Sequence, residues 1–462
     1  MTLAVDVCVV GGGPGGATTA AALARVGRRV ALVEQRPFPR DHVGESLSPG
    51  FWPLLGSVGL PRSAVEDIGV PVRMASIRWR SPEEELTAVD GGLTVDRAAF
   101  DARLLDHARA SGVEVVTGRA RRPARTSTGW RLSIGSASIE ASMLADATGR
   151  VALLGGRRIR TAPRTLALHA RWRPDRVPDA PQTRVCALAD GWAWCARLPG
   201  GDVRAMIFVD PDRLGSGGHE PGRLFRRLVG SVDAPGPLLA DLPEGTAVGV
   251  CDASSYRLDE VVTPDSVRVG EAAFAIDPLS SCGVQTAVQS GLAAAATIHT
   301  LLSPDGDRAA ALEYYADLVH ACVRHHRATA GGLYAEHDRF ADRRFWRDRS
   351  GSAAPVPPVA SRLKPAELLP FPVRLRSPAE LRVVACRVGD RIERCRALCR
   401  PGWDRPVGFL GGLPVGSLVD ELHTAASLGV AVSSWERSLP AGRAARILSW
   451  FLDHGLLEPV DA

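Results

Sequence analysis

The first fifty residues predict a strand, a helix and a second strand in that order. Residues 4–10 form a short apolar run rich in valine, as expected of a buried strand. The alanine-rich stretch 17–26 is typical of a closely packed helix, and residues 29–33 are a second apolar run that finishes at Glu34. This order predicts a βαβ unit, and therefore a Rossmann-like domain of the doubly wound α/β class.

A glycine-rich turn joins the first predicted strand to the helix. Gly11 permits the tight turn, Gly13 lets the main chain approach a diphosphate, and Gly16 lets the helix pack on the strand. Glu34, 18 positions after Gly16, suits hydrogen bonds to an adenosine ribose and repels a 2′-phosphate. FAD or NAD is therefore expected rather than NADP. The predicted contacts are Gly11, Gly13, Pro14, Gly15, Gly16, Glu34 and Gln35.

Later hydrophobic patterns divide the rest of the chain. Residues 161–247 contain β-like runs at 165–172 and 203–210, and they predict a β-sheet inserted into a cofactor domain that spans 1–160 and 248–345. Helical periods cover 290–302 and 309–346. The stretch 350–372 is rich in Pro, Ser and Ala and predicts a linker.

The C-terminal residues 373–462 predict a small helical module. An arginine-studded helix is expected at 378–400, and two or three helices are expected within 413–459. Residues 445–457 have a pattern typical of a winged helix or a peptide-binding end. A structural cap on the core and a partner-docking role both agree with this pattern.

Composition limits the classes of function. A length of 462 residues predicts two or three domains, and 45% hydrophobic with 23% charged residues is typical of a globular protein. The net charge of +5 is small, and the basic residues form no tract, so nucleic acid is not expected as a partner. Nine cysteines without a C-x-x-C pair predict free thiols and no metal site. The early first strand and the lack of a long apolar run predict no signal peptide, no membrane association and a cytoplasmic location.

Three further segments resemble the flavoprotein monooxygenase superfamily, which includes aromatic hydroxylases, geranylgeranyl-reductase-like proteins and flavin-dependent halogenases. Residues 95–101 resemble its R-x-x-F/L-D stretch, 144–149 resemble its A-T/D-G signature, and 267–285 resemble its G-D-A…D-P…G flavin motif. The resemblance implies FAD rather than NAD, and it implies that 161–247 form the substrate domain. An exposed helical arginine is the alternative for Arg97. The implied flavin contacts are Arg97, Gly149, Gly270, Glu271, Pro278, Gly283 and Val284.

In that motif the acidic residue binds the ribityl chain, and the helix that follows directs its N-terminus at the isoalloxazine, where a partial positive charge stabilises the reduced ring. Glu271 stands where the superfamily usually has aspartate. The extra methylene of glutamate still reaches a hydroxyl group.

Residues 43–49 resemble the V-G-E-S/A-x-x-P segment of the halogenase branch, but the catalytic lysine of halogenases is missing. The corresponding stretch 70–79 supplies Arg73, and a guanidinium that stays protonated cannot replace an amine. The halogenase W-x-W-x-I-P signature keeps Trp192 and Trp194 but lacks its Ile-Pro. The resemblance then implies a monooxygenase that hydroxylates an aromatic ring through a flavin C4a-hydroperoxide. Glu45, Ser46 and Arg73 are its candidate catalytic residues.

The combination of a halogenase-like front, no such lysine and an extra C-terminal module resembles the flavoprotein monooxygenases that mature tryptophylquinone enzymes, those serving quinohaemoprotein amine dehydrogenase included. This resemblance implies hydroxylation of a tryptophan in a polypeptide, with maturation-complex partners and with electrons from NAD(P)H or a flavin reductase. The alternatives are a small-molecule aromatic or polyketide hydroxylase, a geranylgeranyl-type reductase and an assembly factor with structural FAD.

Overall fold

The computed structural model describes residues 2–175, 181–215, 220–231, 242–336, 338–351 and 365–460. Most of the predicted linker, and Lys364, lie outside these residues. The helices are α1 Pro14–Arg25, α2 Trp52–Val58, α3 Ser63–Glu66, α4 Arg97–Ala110, α5 Asp212–Gly215, α6 Pro221–Gly230, α7 Gly283–Leu302, α8 Arg308–Ala335, α9 Arg344–Arg347, α10 Pro365–Leu368, α11 Val415–Thr424, α12 Leu428–Ser438 and α13 Arg443–Asp453.

Most of the strands belong to two large sheets. Their bounds are β1 Thr2–Val10, β2 Val30–Glu34, β3 Ser46–Leu47, β4 Gly69–Arg78, β5 Glu85–Val95, β6 Glu114–Thr117, β7 Ala120–Thr126, β8 Gly129–Ile134, β9 Ala137–Asp146, β10 Arg158–Arg160, β11 Leu166–Trp172, β12 Thr183–Leu188, β13 Gly191–Arg197, β14 Val203–Val209, β15 Gly249–Asp252, β16 Tyr256–Leu258, β17 Val262–Thr263, β18 Ser266–Arg268, β19 Phe274–Ala275, β20 Val373–Leu375, β21 Glu380–Val388, β22 Arg391–Cys399, β23 Phe409–Leu410, β24 Leu413–Pro414 and β25 Leu457–Pro459.

The first sheet carries the predicted βαβ unit. Its order is β17-β18-β9-β1-β2-β6, with β1 parallel to both β2 and β9, and β8 and β7 extend it from β9. Helices α1 and α7 cross closely on this sheet, because a Cβ at Gly291 would lie 2.6 Å from the carbonyl oxygen of Gly15. The Rossmann-like α/β fold expected from the sequence is therefore confirmed.

The second sheet has eight strands in the order β15-β11-β14-β13-β12-β4-β5-β3. The boundary predicted from sequence, 161–247, left out β3, β4 and β5, which come from residues 46–95, and β15, which comes from 249–252. Helix α6 covers one face of this sheet through Leu224, Phe225 and Leu228. The opposite face turns towards the cofactor domain.

The helix predicted at 378–400 is wrong. These residues form an antiparallel hairpin of β21 and β22, turned at Gly389 with φ +61°. Its Ile392 is 1% exposed and packs in the core of the cofactor domain. Helices α11, α12 and α13 then form a separate core around Trp435 and Phe451. The module is thus part hairpin and part helical.

Two further properties concern the whole chain. All nine cysteines are free thiols. Among the described residues, no helix combines the length and the apolarity that a membrane crossing requires.

Candidate active site

The turn between β1 and α1 is shaped by close main-chain contacts. Gly11 has φ +109°, and a Cβ there would lie 2.2 Å from the carbonyl oxygen of Ala147. A Cβ at Gly16 would lie 1.9 Å from the carbonyl oxygen of Gly11. A Cβ at Gly13, in contrast, would lie 3.8 Å from its nearest neighbour, Nη2 of Arg40. The turn is open at Gly13, where α1 begins without a side-chain cap, and its first N–H groups can receive an anion.

An acidic and a basic side chain flank this turn. Glu34 is 6% exposed at the end of β2, and its carboxylate accepts hydrogen bonds from the main-chain N–H groups of Gly12 at 2.7 Å and Arg36 at 3.0 Å. The guanidinium of Arg40 lies 3.8 Å from the Asp101 carboxylate. A ribose and a diphosphate would meet the carboxylate and the cation respectively.

Arg97 is buried, so the alternative of an exposed helical arginine is wrong. Its Nε and Nη2 donate to the two carboxylate oxygens of Asp101, at 2.9 and 3.0 Å. Its Nη1 donates to the carbonyl oxygen of Val43 at 2.7 Å and approaches that of Gly44 at 3.3 Å. Helix α4 therefore fixes the loop that presents Glu45.

Glu45 forms a buried ion pair with Arg204 of the second sheet. Its Oε1 accepts from Nε of Arg204 at 2.8 Å, and its Oε2 accepts from the N–H of Gly44 at 2.9 Å. Nη2 of Arg204 also donates to Asp41, at 2.8 Å. Burial raises the pKa of Glu45, and the Arg204 charge opposes that rise. The pair links the loop of Glu45 to strand β14 of the second sheet.

The loop before α7 holds a second buried carboxylate. Asp277 accepts hydrogen bonds from the N–H of Leu279 at 3.0 Å and from the hydroxyl of Tyr334 at 3.2 Å. Burial raises the pKa of Asp277. Ser281 has φ +51°, an uncommon value for a residue with a Cβ, and α7 begins at Gly283 without a side-chain cap. Such strain is frequent at ligand-binding loops.

The predicted ribityl residue Glu271 lies on the turn Gly270–Ala272 and is partly exposed. Its Oε1 lies 3.2 Å from Nη2 of Arg150, the residue after Gly149. Val284 is buried at the start of α7, whereas Gln35 is exposed directly after Glu34. The structure does not test the roles predicted for these residues, which stay predictions.

The structure brings only part of the predicted catalytic set together. Ser46 directly follows Glu45 and pairs with Thr94 across β3 and β5. Arg73 lies on β4 at a register irregularity, and its exposed guanidinium has no ion-pair or hydrogen-bond partner within the described part of the chain. The Glu45–Arg204 pair, rather than Arg73, is therefore the charged centre of this region.

The face of the second sheet that turns towards the cofactor domain carries three bands of side chains, each running across several strands. The first band is Cys251, Ala167, Phe208, Trp192 and Ala187. The second band is Gly249, His169, Met206, Trp194, Val185 and Ile77. The third band is Arg171, Arg204, Ala196, Thr183 and Ala75.

The first band is filled by aromatic packing. The Trp192 ring stacks on Phe208 with centroids 4.0 Å apart, and its Nε1 donates to the hydroxyl of Tyr334 at 3.1 Å. Tyr334, Phe345 and Trp346 from α8 and α9 complete this cluster. The third band is charged, because Arg204 pairs with Glu45. The second band shares the apolar cluster of the first through Trp194 and Met206, and it adjoins the charged third band.

The residues present fit an FAD molecule. The open cradle at Gly13, the buried Glu34 and the uncapped start of α7 suit its diphosphate, its adenosine ribose and its ring respectively. Arg40 and Arg204 were missed from the sequence. Arg40 carried a signal, a basic residue in the loop after an acid-terminated strand. Arg204 carried none, because it stands 159 positions from Glu45.

Comparisons with known proteins give one main result. A family model described as tryptophan halogenase matches residues 70–365, and one described as an NAD(P)-binding Rossmann-like domain matches residues 9–44. The chain is 29% identical over 344 residues to a tryptophan 2-halogenase of Chondromyces crocatus, which covers 67% of this chain and 64% of that protein. The chain thus spans less than two thirds of that relative's length.

Two solved structures share the fold along nearly the full chain. The peptidyl tryptophan dihydroxylase QhpG, described as essential for tryptophylquinone cofactor biogenesis, is 24% identical, with a TM-score of 0.73 and coverage of 98% of this chain and 99% of that one. The flavin-dependent halogenase CmlS is 19% identical, with a TM-score of 0.76 and coverage of 99% and 96%.

Proposed function

We propose that this chain, which belongs to the tryptophan halogenase family, is a monooxygenase that hydroxylates an aromatic ring. We further propose that the ring is a tryptophan side chain of a polypeptide. The predicted cofactor, FAD, and the predicted class, an FAD-dependent oxidoreductase, are confirmed by the family. Oxygen transfer and the polypeptide substrate are the proposal.

The absence of the catalytic lysine of halogenases supports oxygen transfer rather than halogenation. The chain has a single lysine, Lys364, which lies in the sequence stretch predicted as a linker. In the resembled halogenases a lysine amine reacts with hypohalous acid. An arginine does not replace this lysine, because its guanidinium stays protonated. The polypeptide substrate is supported by the full-length likeness to a peptidyl tryptophan dihydroxylase, which includes the C-terminal module.

The side chains of this site bind, orient and exclude water. Gly13, Glu34 and Arg40 would hold the diphosphate and ribose of FAD, and the start of α7 would face its ring. FAD, when bound and reduced, supplies the activation of molecular oxygen. The aromatic first band keeps water from one side, and the Glu45–Arg204 pair closes the other.

The overall reaction balances with a two-electron donor. One atom of O2 enters a C–H bond of the ring, and the other leaves as water with two electrons and two protons. NAD(P)H, directly or through a separate flavin reductase, supplies the electrons.

The test is a mass measurement on a polypeptide substrate. The purified chain with FAD, NADH and a flavin reductase is incubated in air with tryptophan-containing polypeptides, in the presence of chloride and bromide. A gain of one or two oxygen atoms on tryptophan is expected. A halogenated product would contradict oxygen transfer, and conversion of free aromatic compounds alone would contradict the polypeptide substrate.

A further inference from the structure

The second band provides one polar side chain beside an otherwise apolar wall. Met206 and Trp194 are 9% and 6% exposed, and both belong to the apolar cluster that also contacts Val43 and Leu279 of the two loops at the cofactor site. His169 stands beside Met206 in the same band, on the neighbouring strand β11. An aromatic ring bound against this wall would therefore have an imidazole at its edge.

The His169 ring lies over a glycine that leaves room for it. A Cβ at Gly249 on β15 would lie 2.4 Å from Cε1 and 2.5 Å from Nε2 of His169, so any larger residue would displace the imidazole. Asp252, three residues along the same strand, lies 3.8 Å from Arg150, which pairs with Glu271. The Cε1–Nε2 edge of the imidazole thus lies over Gly249 of β15.

Arg204 fixes the tautomer of this histidine. Nη1 of Arg204 lies 3.4 Å from Nδ1 of His169, and a guanidinium can only donate, so Nδ1 accepts and the ring proton is on Nε2. Nε2 has no hydrogen-bond partner among the described residues. Burial and the Arg204 charge lower the pKa of His169, while Asp41 opposes them and His42 acts in the same direction as Arg204. A neutral imidazole with one unpaired N–H is the result.

We propose that His169 is a specificity-determining hydrogen-bond donor of the substrate site, and that the site takes an aromatic ring carrying an oxygen acceptor near it. The carbonyl of a tryptophan residue inside a polypeptide is such an acceptor. This inference rests on the proposed function, because it concerns the substrate of the same site.

Two probes with the same ring separate the hydrogen bond from the packing. N-acetyl-L-tryptophanamide carries amide carbonyls, and 3-methylindole has the indole without oxygen. Equilibrium dialysis measures the affinity of the oxidised holoenzyme for each probe. His169→Leu should weaken binding of the first probe about tenfold, the size of one hydrogen bond, and leave the second unchanged.

Matched variants protect the result against a general loss of folding. His169→Gln keeps an N–H donor and should retain most of the affinity for N-acetyl-L-tryptophanamide. Gly249→Ala keeps the histidine but displaces its ring, and it should lose affinity for that probe alone. Thermal unfolding of the three variants should match the unaltered protein to within a few degrees.

Three results would each overturn the inference. His169→Leu could lose equal affinity for both probes, it could lose affinity for neither, or the unaltered protein could bind neither probe. The hydroxylation assay on polypeptides tests the proposed function separately. Hydroxylated tryptophan together with an unchanged probe ratio in His169→Leu would defeat the inference and leave the proposed function standing. A chain that produces no hydroxylated aromatic product at all would defeat the proposed function.

Discussion

Single arginines organise the charge of the cofactor site. Arg97 is committed to Asp101 and to two main-chain carbonyls, and Arg204 is committed to Glu45 and Asp41. Arg40 is different, because the one carboxylate close to it among the described residues, that of Asp101, lies at 3.8 Å. Its guanidinium is therefore the one best placed to gain a stronger partner when a diphosphate arrives.

Arg40→Ala should accordingly weaken FAD binding by about tenfold or more, since a charge-assisted hydrogen bond contributes roughly 1.5–3 kcal/mol. Titration of the apoprotein with FAD, followed by flavin fluorescence, measures this affinity. Arg36→Ala is the matched control, because only the main-chain N–H of Arg36 contacts Glu34. An Arg40→Ala protein that binds FAD as tightly as the control would refute this role.

At the scale of residues, the sequence predicted what lies close together along the chain. The glycine turn and Glu34 stand within one βαβ unit, so their spacing carries their geometry. The partners of Glu45 and Asp277 come from β14 and α8. No spacing rule links such residues, and only the packing of distant strands and helices shows that they are partners.

At the scale of elements, the hairpin of β21 and β22 shows why the helix prediction failed. The arginines along 378–400 suggested a helical face, whereas Gly389 and Asp390 form the turn that a hairpin needs. Tertiary contacts then hold the hairpin, since Ile392 inserts into the core of the cofactor domain and its N–H donates to Thr300 of α7. Local periodicity does not report such contacts.

Ile392→Ala should lower the free energy of unfolding by about 2–4 kcal/mol, because it leaves a cavity in a buried core. Arg394→Ala removes an ion pair with Glu313 whose two side chains are 38% and 41% exposed, and it should change stability far less than Ile392→Ala does. Urea unfolding of both variants measures the two effects. Equal destabilisation by the two changes would contradict the prediction that Ile392, rather than the surface ion pair, is the main anchor of the hairpin.

At the scale of the whole molecule, histidines with lowered pKa values make stability depend on pH. Burial lowers the pKa of His326 on α8 from 6.5 to about 4, and it also lowers the pKa values of His42, His169, His299 and His320. At a pH below 6.5 the unfolded chain therefore binds more protons at these histidines than the folded chain does. The stability contributed by these groups is present above pH 6.5 and is lost as the pH falls towards 4.

His326→Gln removes the largest of these contributions. Its urea midpoint should fall less than that of the unaltered protein between about pH 7 and about pH 4.5. The raised pKa values of Glu45 and Asp277 act in the opposite direction and are common to both proteins, so they cancel in the comparison. Parallel pH profiles for the two proteins would show that His326 is not responsible.

Helix α7 connects two distant parts of the chain. It starts at the loop of Asp277, spans 20 residues or about 30 Å, and ends where Thr300 receives the hairpin. A chimera that exchanges the C-terminal module with that of a relative would have to transplant the last turn of this helix as well. A breakpoint after α7 would separate Thr300 from its partner Ile392 and should therefore lower the stability of the chimera.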